Sequence, residues 1–234
     1  MDAIDLRRTY QDLTTAHVAD ALLRLGIPIR QAPPEVRPIR AGTHLVGRAC
    51  PARHAGSVDV FLEAFEHAER GDVLVVDDDG RRDEACVGDL VALEAREAGL
   101  AGIVIWGLHR DSRDLREIAI PLFSEGTLAG GPQRLDEQAA DALTRARVGD
   151  VDVTRDDVVF GDDDGVLFLP ADLADEIASV AAGIRDVERR QASQIRMGTS
   201  LREQLRFAEY LAARDRDGTT FRQHLRAIGG AIEE

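Results

Sequence analysis

Two charged residues, Arg110 and Asp111, stand immediately after an apolar run at residues 102 to 105. Parallel α/β proteins usually place their chemistry where a buried strand gives way to a helix. The guanidinium of Arg110 offers a planar fork to a carboxylate, or to a carboxylate and an adjacent keto oxygen. The carboxylate of Asp111 can hold a hard divalent cation that keeps several waters. A second interpretation is a local ion pair in which Asp111 caps the next helix.

A further acidic residue, Asp114, follows Asp111 by about one helical turn. The two carboxylates could therefore face one cation. Asp114 could equally pair with Arg110 or Arg113, and the sequence leaves both arrangements open. His109 is predicted to face solvent or to support its neighbours rather than to bind the ion.

The segment "VGDLV" provides a second candidate, because it is predicted to begin a helix. Gly88, Asp89, Leu90 and Val91 would occupy the first turn, where backbone N–H groups have no partner within the helix. Such a turn suits a carboxylate. The alternative is an ordinary helix start, in which Gly88 allows close packing and Asp89 favours the helix dipole.

The chain contains no lysine, so all 29 basic residues are arginines. No side chain can therefore form a Schiff base with a carbonyl substrate. Carbonyl chemistry would need another electron sink, most simply a metal ion.

The pattern of apolar residues predicts the elements that position these candidates. Strands and helices alternate through the first 125 residues, which favours a partly parallel sheet covered by helices. Later short strands predict an additional β layer, and everything from residue 171 onward is predicted to be helical. One amphipathic helix is predicted over residues 5 to 25. Two "DDDG" segments, at 77–80 and 162–165, are interpreted as Asp-rich turns.

Composition excludes several classes of function. The formal net charge of −14 argues against binding to a phosphate backbone, so no nucleic-acid partner is expected. No apolar run approaches the length of a membrane span, and no membrane partner is expected. Two cysteines, Cys50 and Cys86, do not make a disulfide framework, and a reduced cytoplasm is the expected compartment.

The order of residues in "GDLVALEAREAGLAGIVIWGLHRDSRD" resembles the signature of the RraA-like family. That pattern is an acidic residue, twenty residues, and then Arg-Asp, and here Asp89 precedes Arg110-Asp111 by that spacing. The family includes class II 4-hydroxy-4-methyl-2-oxoglutarate aldolases, which also decarboxylate oxaloacetate, and the regulator of RNase E activity. Looser similarity extends over about residues 13 to 201.

The resemblance implies a role for each candidate. Gly88 to Val91 would supply backbone donors to pyruvate, Arg110 would bind pyruvate, and Asp111 would hold Mg²⁺ or Mn²⁺. Asp114 is counted with the metal site and favours the aldolase branch over the regulator. Glu188 matches a glutamate that aldolases take from the C-terminal helix of a neighbouring subunit, so Arg110, Asp111 and Glu188 form the implied catalytic set.

The resemblance also implies a fold and an assembly. The expected fold is α/β, a three-layer β/β/α arrangement of the swivelling phosphohistidine-domain type, with a C-terminal helical extension. Residues 1–195 would form the RraA-like aldolase domain and residues 196–234 a helical tail that supports assembly. The expected assembly is a homotrimer or a dimer of trimers that acts on a small 2-oxo acid with a pyruvate moiety.

Two other functions are compatible with the sequence. One is a non-catalytic RraA-type regulator that binds protein partners, such as a ribonuclease, through its acidic surface. The other is a metal-dependent lyase or hydrolase that acts on a different 2-oxo acid.

Overall fold

A computed structural model of the chain describes residues 3–229, and these residues divide into two compact units. The first unit takes the described residues up to Ala16 together with Ile29–Glu176. The second takes His17–Pro28 and the described residues from Ile177 onward. Within the described part of the chain, no helix is both long and apolar enough to cross a membrane.

The first unit contains the strands and most of the shorter helices. Its strands are β1 (Arg37–Pro38), β2 (Leu45–Arg53), β3 (Val73–Asp77), β4 (Ala85–Val87), β5 (Gly102–Trp106), β6 (Leu108–His109), β7 (Leu122–Ser124), β8 (Arg145–Val148), β9 (Val151–Thr154), β10 (Asp157–Asp162) and β11 (Gly165–Pro170). Its helices are α1 (Ala3–Tyr10), α3 (Asp59–His67), α4 (Asp89–Glu97) and α5 (Ser112–Ile118). Helices α2 (Thr15–Leu25) and α6 (Ala174–Arg196) begin in this unit and continue into the second.

The central sheet is mixed and has the strand order β1-β7-β5-β3-β2-β10-β11. Strands β2, β3, β5 and β7 are parallel neighbours, whereas β1, β10 and β11 pair antiparallel at the two sides. Every residue of β3 is buried. A continuous apolar strand is what a parallel strand covered on both faces requires.

Layers on both faces of the sheet account for this burial. Successive side chains of β3 point to opposite faces, so Leu74 and Val76 join one core cluster while Val73 and Val75 join another. The first cluster is completed by the apolar faces of α3, α4 and α5, and the second by the hairpin of β8 and β9. The predicted three-layer β/β/α arrangement is therefore confirmed.

The prediction of one helix over residues 5 to 25 is wrong, because the chain breaks between α1 and α2. The carboxylate of Asp162 accepts from both the backbone N–H and the hydroxyl of Thr15, at 2.7 Å each, and so fixes the start of α2. The hydroxyl of Tyr10 donates to the carbonyl oxygen of Ala174 at 2.8 Å and anchors the end of α1. Both partners are more than 140 residues away, so local periodicity could not reveal the break.

The second unit is helical in its described residues, as predicted. After α6 it contains α7 (Leu201–Gln204), α8 (Phe207–Asp217) and α9 (Phe221–Ile228). Ser200 with Glu203, and Thr220 with Gln223, form capping boxes at the starts of α7 and α9. Buried His224 places Nε2 2.8 Å from the carbonyl oxygen of Leu205, which ties α9 to the end of α7.

Candidate active site

The carboxyl ends of three parallel strands meet at one edge of the sheet, and the candidate residues follow them. The register pairs Arg53 of β2 with Asp77 of β3, and Asp77 with Trp106 of β5. Beyond this edge, the short strands β4 and β6 pair in parallel with each other. Strand β4 leads into α4 and β6 leads into α5. The starts of these two helices are therefore neighbours.

Arg110 and Asp111 lie at the junction between β6 and α5. The N–H of Arg110 donates to the carbonyl oxygen of Val87 at 2.9 Å, which holds this junction against the end of β4. Asp111 Oδ2 lies 3.4 Å from Arg110 Nε and 3.4 Å from the backbone nitrogen of Asp89. Both distances are long for hydrogen bonds to a carboxylate. The carboxylate is therefore only loosely held by its own chain.

Asp111 occupies the N-cap position of α5, but its side chain makes no capping hydrogen bond. Its backbone is left-handed, with φ of 58° and ψ of 38°, a conformation that costs a non-glycine residue about 1 kcal/mol or more. The side chain remains 36% exposed, and that of Arg110 remains 48% exposed. The ion pair of the alternative interpretation is therefore present, whereas its helix cap is absent. The carboxylate can still be reached by a ligand from solvent.

The segment from Gly88 to Val91 begins α4 as predicted. Gly88 is the N-cap residue with an extended backbone and has no side chain to cap the helix. The N–H of Asp89 donates a long hydrogen bond of 3.4 Å to Asp111 Oδ2. Asp89 is half-buried, Leu90 is exposed and Val91 is buried. A Cβ on Gly88 would lie 2.5 Å from Asp111 Oδ2, so any larger residue here would displace the Asp111 carboxylate.

A pocket of about 460 Å³ brings these segments together. Gly88, Asp89, Leu90, Val91 and Arg110 all line it. Its other walls include His54, Cys86, Leu62 and Pro132. A cavity of this size accepts a small organic acid with room for water. Uncapped N–H groups, a guanidinium and a nearby carboxylate together suit a small anion and a cation.

The remaining predicted residues lie on α5 and α6. Asp114 is exposed in the first turn of α5, and its contribution to a metal site stays a prediction. Glu188 belongs to the second unit, where its Oε2 lies 3.1 Å from His17 Nε2, and its catalytic role stays a prediction. His109 is buried between the hydroxyls of Ser124 and Ser112, at 2.7 and 3.0 Å, so it supports its neighbours and does not face solvent.

A second cluster at the same edge was missed by the sequence analysis. His54 follows β2 and Asp78 follows β3, and His54 Nδ1 lies 2.8 Å from Asp78 Oδ1. Cys86 of β4 completes a group whose donor atoms lie within 4.8 Å of one another. The side chains of His54 and Asp78 are both fully buried.

Two charged residues surround this second cluster. Glu84 is almost fully buried, with Oε1 3.5 Å from His54 Nδ1. Arg134 lies 2.8 Å from Glu84 Oε1 and 3.3 Å from Asp78 Oδ1. Burial raises the pKa of Asp78, although the hydrogen bond with His54 opposes it. Burial also raises the pKa of Cys86, and the nearby charge of Asp78 adds to that effect.

One feature of the sequence could have indicated that His54 and Asp78 are neighbours. His54 and Asp78 each stand one residue beyond the last paired residues of two adjacent parallel strands, Arg53 and Asp77. Equal offsets beyond neighbouring strand ends place side chains side by side. Interpreting the first "DDDG" segment only as a turn concealed this relation.

Comparison with known proteins identifies similar chains. A family model described as "RraA-like: Aldolase/RraA" matches residues 15–168. A Halalkalibacterium halodurans protein provisionally named a 4-hydroxy-4-methyl-2-oxoglutarate aldolase is 28% identical over 168 residues, which cover 71% of this chain and 77% of that protein. Protein DlpA of Legionella pneumophila is 27% identical over 198 residues, which cover 81% of this chain. The match covers 31% of DlpA, so this chain spans about a third of that relative's length.

Solved structures share the fold. An uncharacterized protein from Pseudomonas syringae pv. tomato has a TM-score of 0.74 and 26% identity, covering 84% of this chain and 94% of that one. Streptomyces coelicolor RraAS2, described as an unusual member of the RNase ES inhibitor RraA protein family, has a TM-score of 0.68 and 27% identity. That match covers 82% of this chain and 98% of RraAS2.

Proposed function

This chain belongs to the RraA-like family, and we propose that it is a divalent-metal-dependent carbon–carbon lyase. Its proposed reaction is that of a class II pyruvate aldolase of the 4-hydroxy-4-methyl-2-oxoglutarate type, with oxaloacetate decarboxylase activity. The observation that carries the proposal is the Asp111 carboxylate, which stands at a helix start without capping it. It lies beside Arg110, and Arg110 lines the pocket. The Halalkalibacterium relative, provisionally named as such an aldolase, supports the proposal.

The substrate would be held through its carboxylate and 2-oxo group. Arg110 offers two parallel donors to these oxygens, and the backbone N–H groups of Leu90 and Val91 in the first turn of α4 would offer further donors. Both lie on one pocket, so a molecule of pyruvate size can reach them together. These groups stabilise negative charge that develops on the 2-oxo oxygen as the carbon–carbon bond breaks.

Asp111 fits the implied metal, because it is a loosely held and partly exposed carboxylate. Mg²⁺ and Mn²⁺ prefer such oxygen donors and retain several waters. A bound divalent cation would supply the positive charge that a lysine imine supplies in other aldolases. The chain has no lysine for that alternative.

The two reactions have one product in common, the enolate of pyruvate. Cleavage of the C3–C4 bond of the aldol substrate gives this enolate and a carbonyl fragment, while the C4 hydroxyl gives up its proton to water. Loss of carbon dioxide from oxaloacetate gives the same enolate. A proton then returns to the methylene carbon through water, which Glu188 from a neighbouring copy of the chain is proposed to position. This role needs at least two copies of the chain, and a homotrimer or dimer of trimers is the proposed assembly.

Pyruvate release from oxaloacetate tests the proposal, with a protein-free blank subtracted because oxaloacetate also decays in solution. We expect activity to disappear in chelator and to return with Mg²⁺ or Mn²⁺. Borohydride added with the substrate should leave no covalent adduct. Full activity in chelator, or an adduct trapped by borohydride, would overturn the class II assignment.

A regulatory function is the second candidate, because the similar RraAS2 is described as belonging to an RNase ES inhibitor family. A regulator needs no metal and no turnover. Inhibition of a ribonuclease by the metal-free chain, with no pyruvate released from oxaloacetate, would favour that function over the lyase.

A further inference from the structure

We propose that His54, Asp78 and Cys86 form a second cation site, which takes a borderline-soft divalent ion such as Zn²⁺. An imidazole nitrogen, a carboxylate oxygen and a thiol sulfur lie within 4.8 Å of one another. These donors belong to three different segments, the ends of β2 and β3 and the middle of β4. The sheet therefore assembles them without a dedicated loop.

Two donor atoms in this cluster have no hydrogen-bond partner among the described residues. They are His54 Nε2 and Asp78 Oδ2, and both belong to fully buried side chains. An unpaired buried polar atom costs about 1 to 3 kcal/mol, so native proteins rarely leave two in one place. A cation supplies the missing partner for such donors.

The local charges are compatible with a cation that binds a thiolate. Asp78 and Glu84 are buried carboxylates, and Arg134 is a guanidinium that contacts both. Arg81 Nε also lies 3.6 Å from Glu84 Oε1, so two guanidinium groups face the two carboxylates. Metal binding converts the Cys86 thiol to a thiolate. A divalent cation compensates this thiolate in a region where unpaired charge is costly.

The donor set selects the kind of ion. Sulfur and nitrogen ligands suit Zn²⁺, whereas Mg²⁺ and Ca²⁺ prefer oxygen alone. Arg134 contacts Asp78 and Glu84 approaches His54 from outside the set, as partners behind metal ligands commonly do. His54 and Cys86 also line the pocket, so a fourth position is open to water or to a small ligand.

Cobalt substitution tests the site on the full, untagged chain under reducing conditions. We expect one Co²⁺ per chain to produce the near-ultraviolet charge-transfer band of thiolate ligation, and Zn²⁺ to displace it. Cys86→Ser should abolish the band and weaken Zn²⁺ binding at least about tenfold. Cys50→Ser is the matched control, because Cys50 is the other buried cysteine and lies outside the cluster. It should leave band and affinity unchanged.

The proposal is independent of the lyase function. Asp111→Asn should leave the cobalt band and the Zn²⁺ stoichiometry intact, because Asp111 is not a member of this cluster. His54→Gln provides a second variant if Cys86→Ser does not fold, and it should weaken Zn²⁺ binding to a similar degree. Absence of Zn²⁺ binding, a band that survives Cys86→Ser, or a band lost equally in Cys50→Ser would overturn the site.

Discussion

Replacing Gly88 with alanine perturbs the Arg110–Asp111 pair without touching either residue. The backbone of Gly88 is extended, with φ of −124°, so alanine can adopt it without strain. The added Cβ would lie 2.5 Å from Asp111 Oδ2 and 3.3 Å from Arg110 Nε. The clash therefore falls on the proposed metal and substrate groups rather than on the backbone.

The expected loss follows from the size of this overlap. Ordinary van der Waals contact begins at 3.4 Å, so the Asp111 carboxylate must retreat by about 0.9 Å. A misplacement of about 1 Å in a catalytic group costs up to about a hundredfold in rate. We expect kcat/KM for oxaloacetate to fall about 10- to 100-fold, or about 1.4 to 2.7 kcal/mol. Stability should change by about 1 kcal/mol or less, because the partly exposed Asp111 side chain can move toward solvent.

The assay compares kinetics and urea unfolding of Gly88→Ala and Gly130→Ala. Gly130 is the matched control, because its carbonyl oxygen accepts from Ala85 beside the same site and an added Cβ would meet nothing within 4 Å. In an Asp111→Ala background the clash is relieved, so the further cost of Gly88→Ala should shrink. Wild-type kinetics for Gly88→Ala with an intact fold would refute the assignment of this junction as the reacting centre.

Four further outcomes are expected. Arg110→Lys keeps the positive charge but loses the two parallel donors of the guanidinium, so kcat/KM should fall at least about tenfold, or about 1.4 kcal/mol. Near-normal kinetics would show that Arg110 does not contact the substrate. Asp111→Asn should lose activity, and raising the metal concentration should restore part of it. Asp114→Asn should lose less activity and respond less to added metal. Activity titrated with metal would contradict the metal assignment if the curves of both variants and the wild type coincide. Burial raises the pKa of Cys50 from 9.0 to about 11, so the unfolded thiol ionises first and this residue's contribution to stability is lost as pH rises from about 9 to 11. The free energy of unfolding in urea should fall across that pH range by about 2 to 3 kcal/mol less for Cys50→Ala than for wild type. An equal fall in both proteins would refute the burial argument. Truncation after Gly198 should lower the number of chains per assembly, taken from the mass by light scattering divided by the mass of one truncated chain. An unchanged number of chains would reject an assembly role for the tail.

Much of the fold was predictable because its signals are local. The apolar runs that form β3 and β5 have the length and continuity of buried parallel strands. Gly88 to Val91 begin α4 where the sequence predicts the first turn of a helix. The break between α1 and α2 was not predictable, because it depends on Asp162, which is distant in sequence. Local patterns cannot encode a partner that only the folded sheet brings near.

The candidate site also has features that the sequence predicts and features that it does not. Arg110 and Asp111 were found because they are adjacent in sequence and follow a strand. The conformation that distinguishes Asp111 from a helix cap could not be predicted, because a left-handed aspartate at an N-cap has no sequence signature. Cys86 was considered only for disulfides, since its partners His54 and Asp78 come from other strands.

The two proposed cation positions differ in their exposure to solvent. A hard ion keeps several waters, so it needs a donor such as Asp111 that stands partly in solvent and leaves room for them. A thiolate site gains from exclusion of water, because the buried charges are then compensated by the ion itself rather than by solvent. His54 and Asp78 are fully buried, and Cys86 is nearly so. Burial and donor type therefore select different ions at the two positions, although both clusters lie beyond the carboxyl ends of the parallel strands β2, β3 and β5.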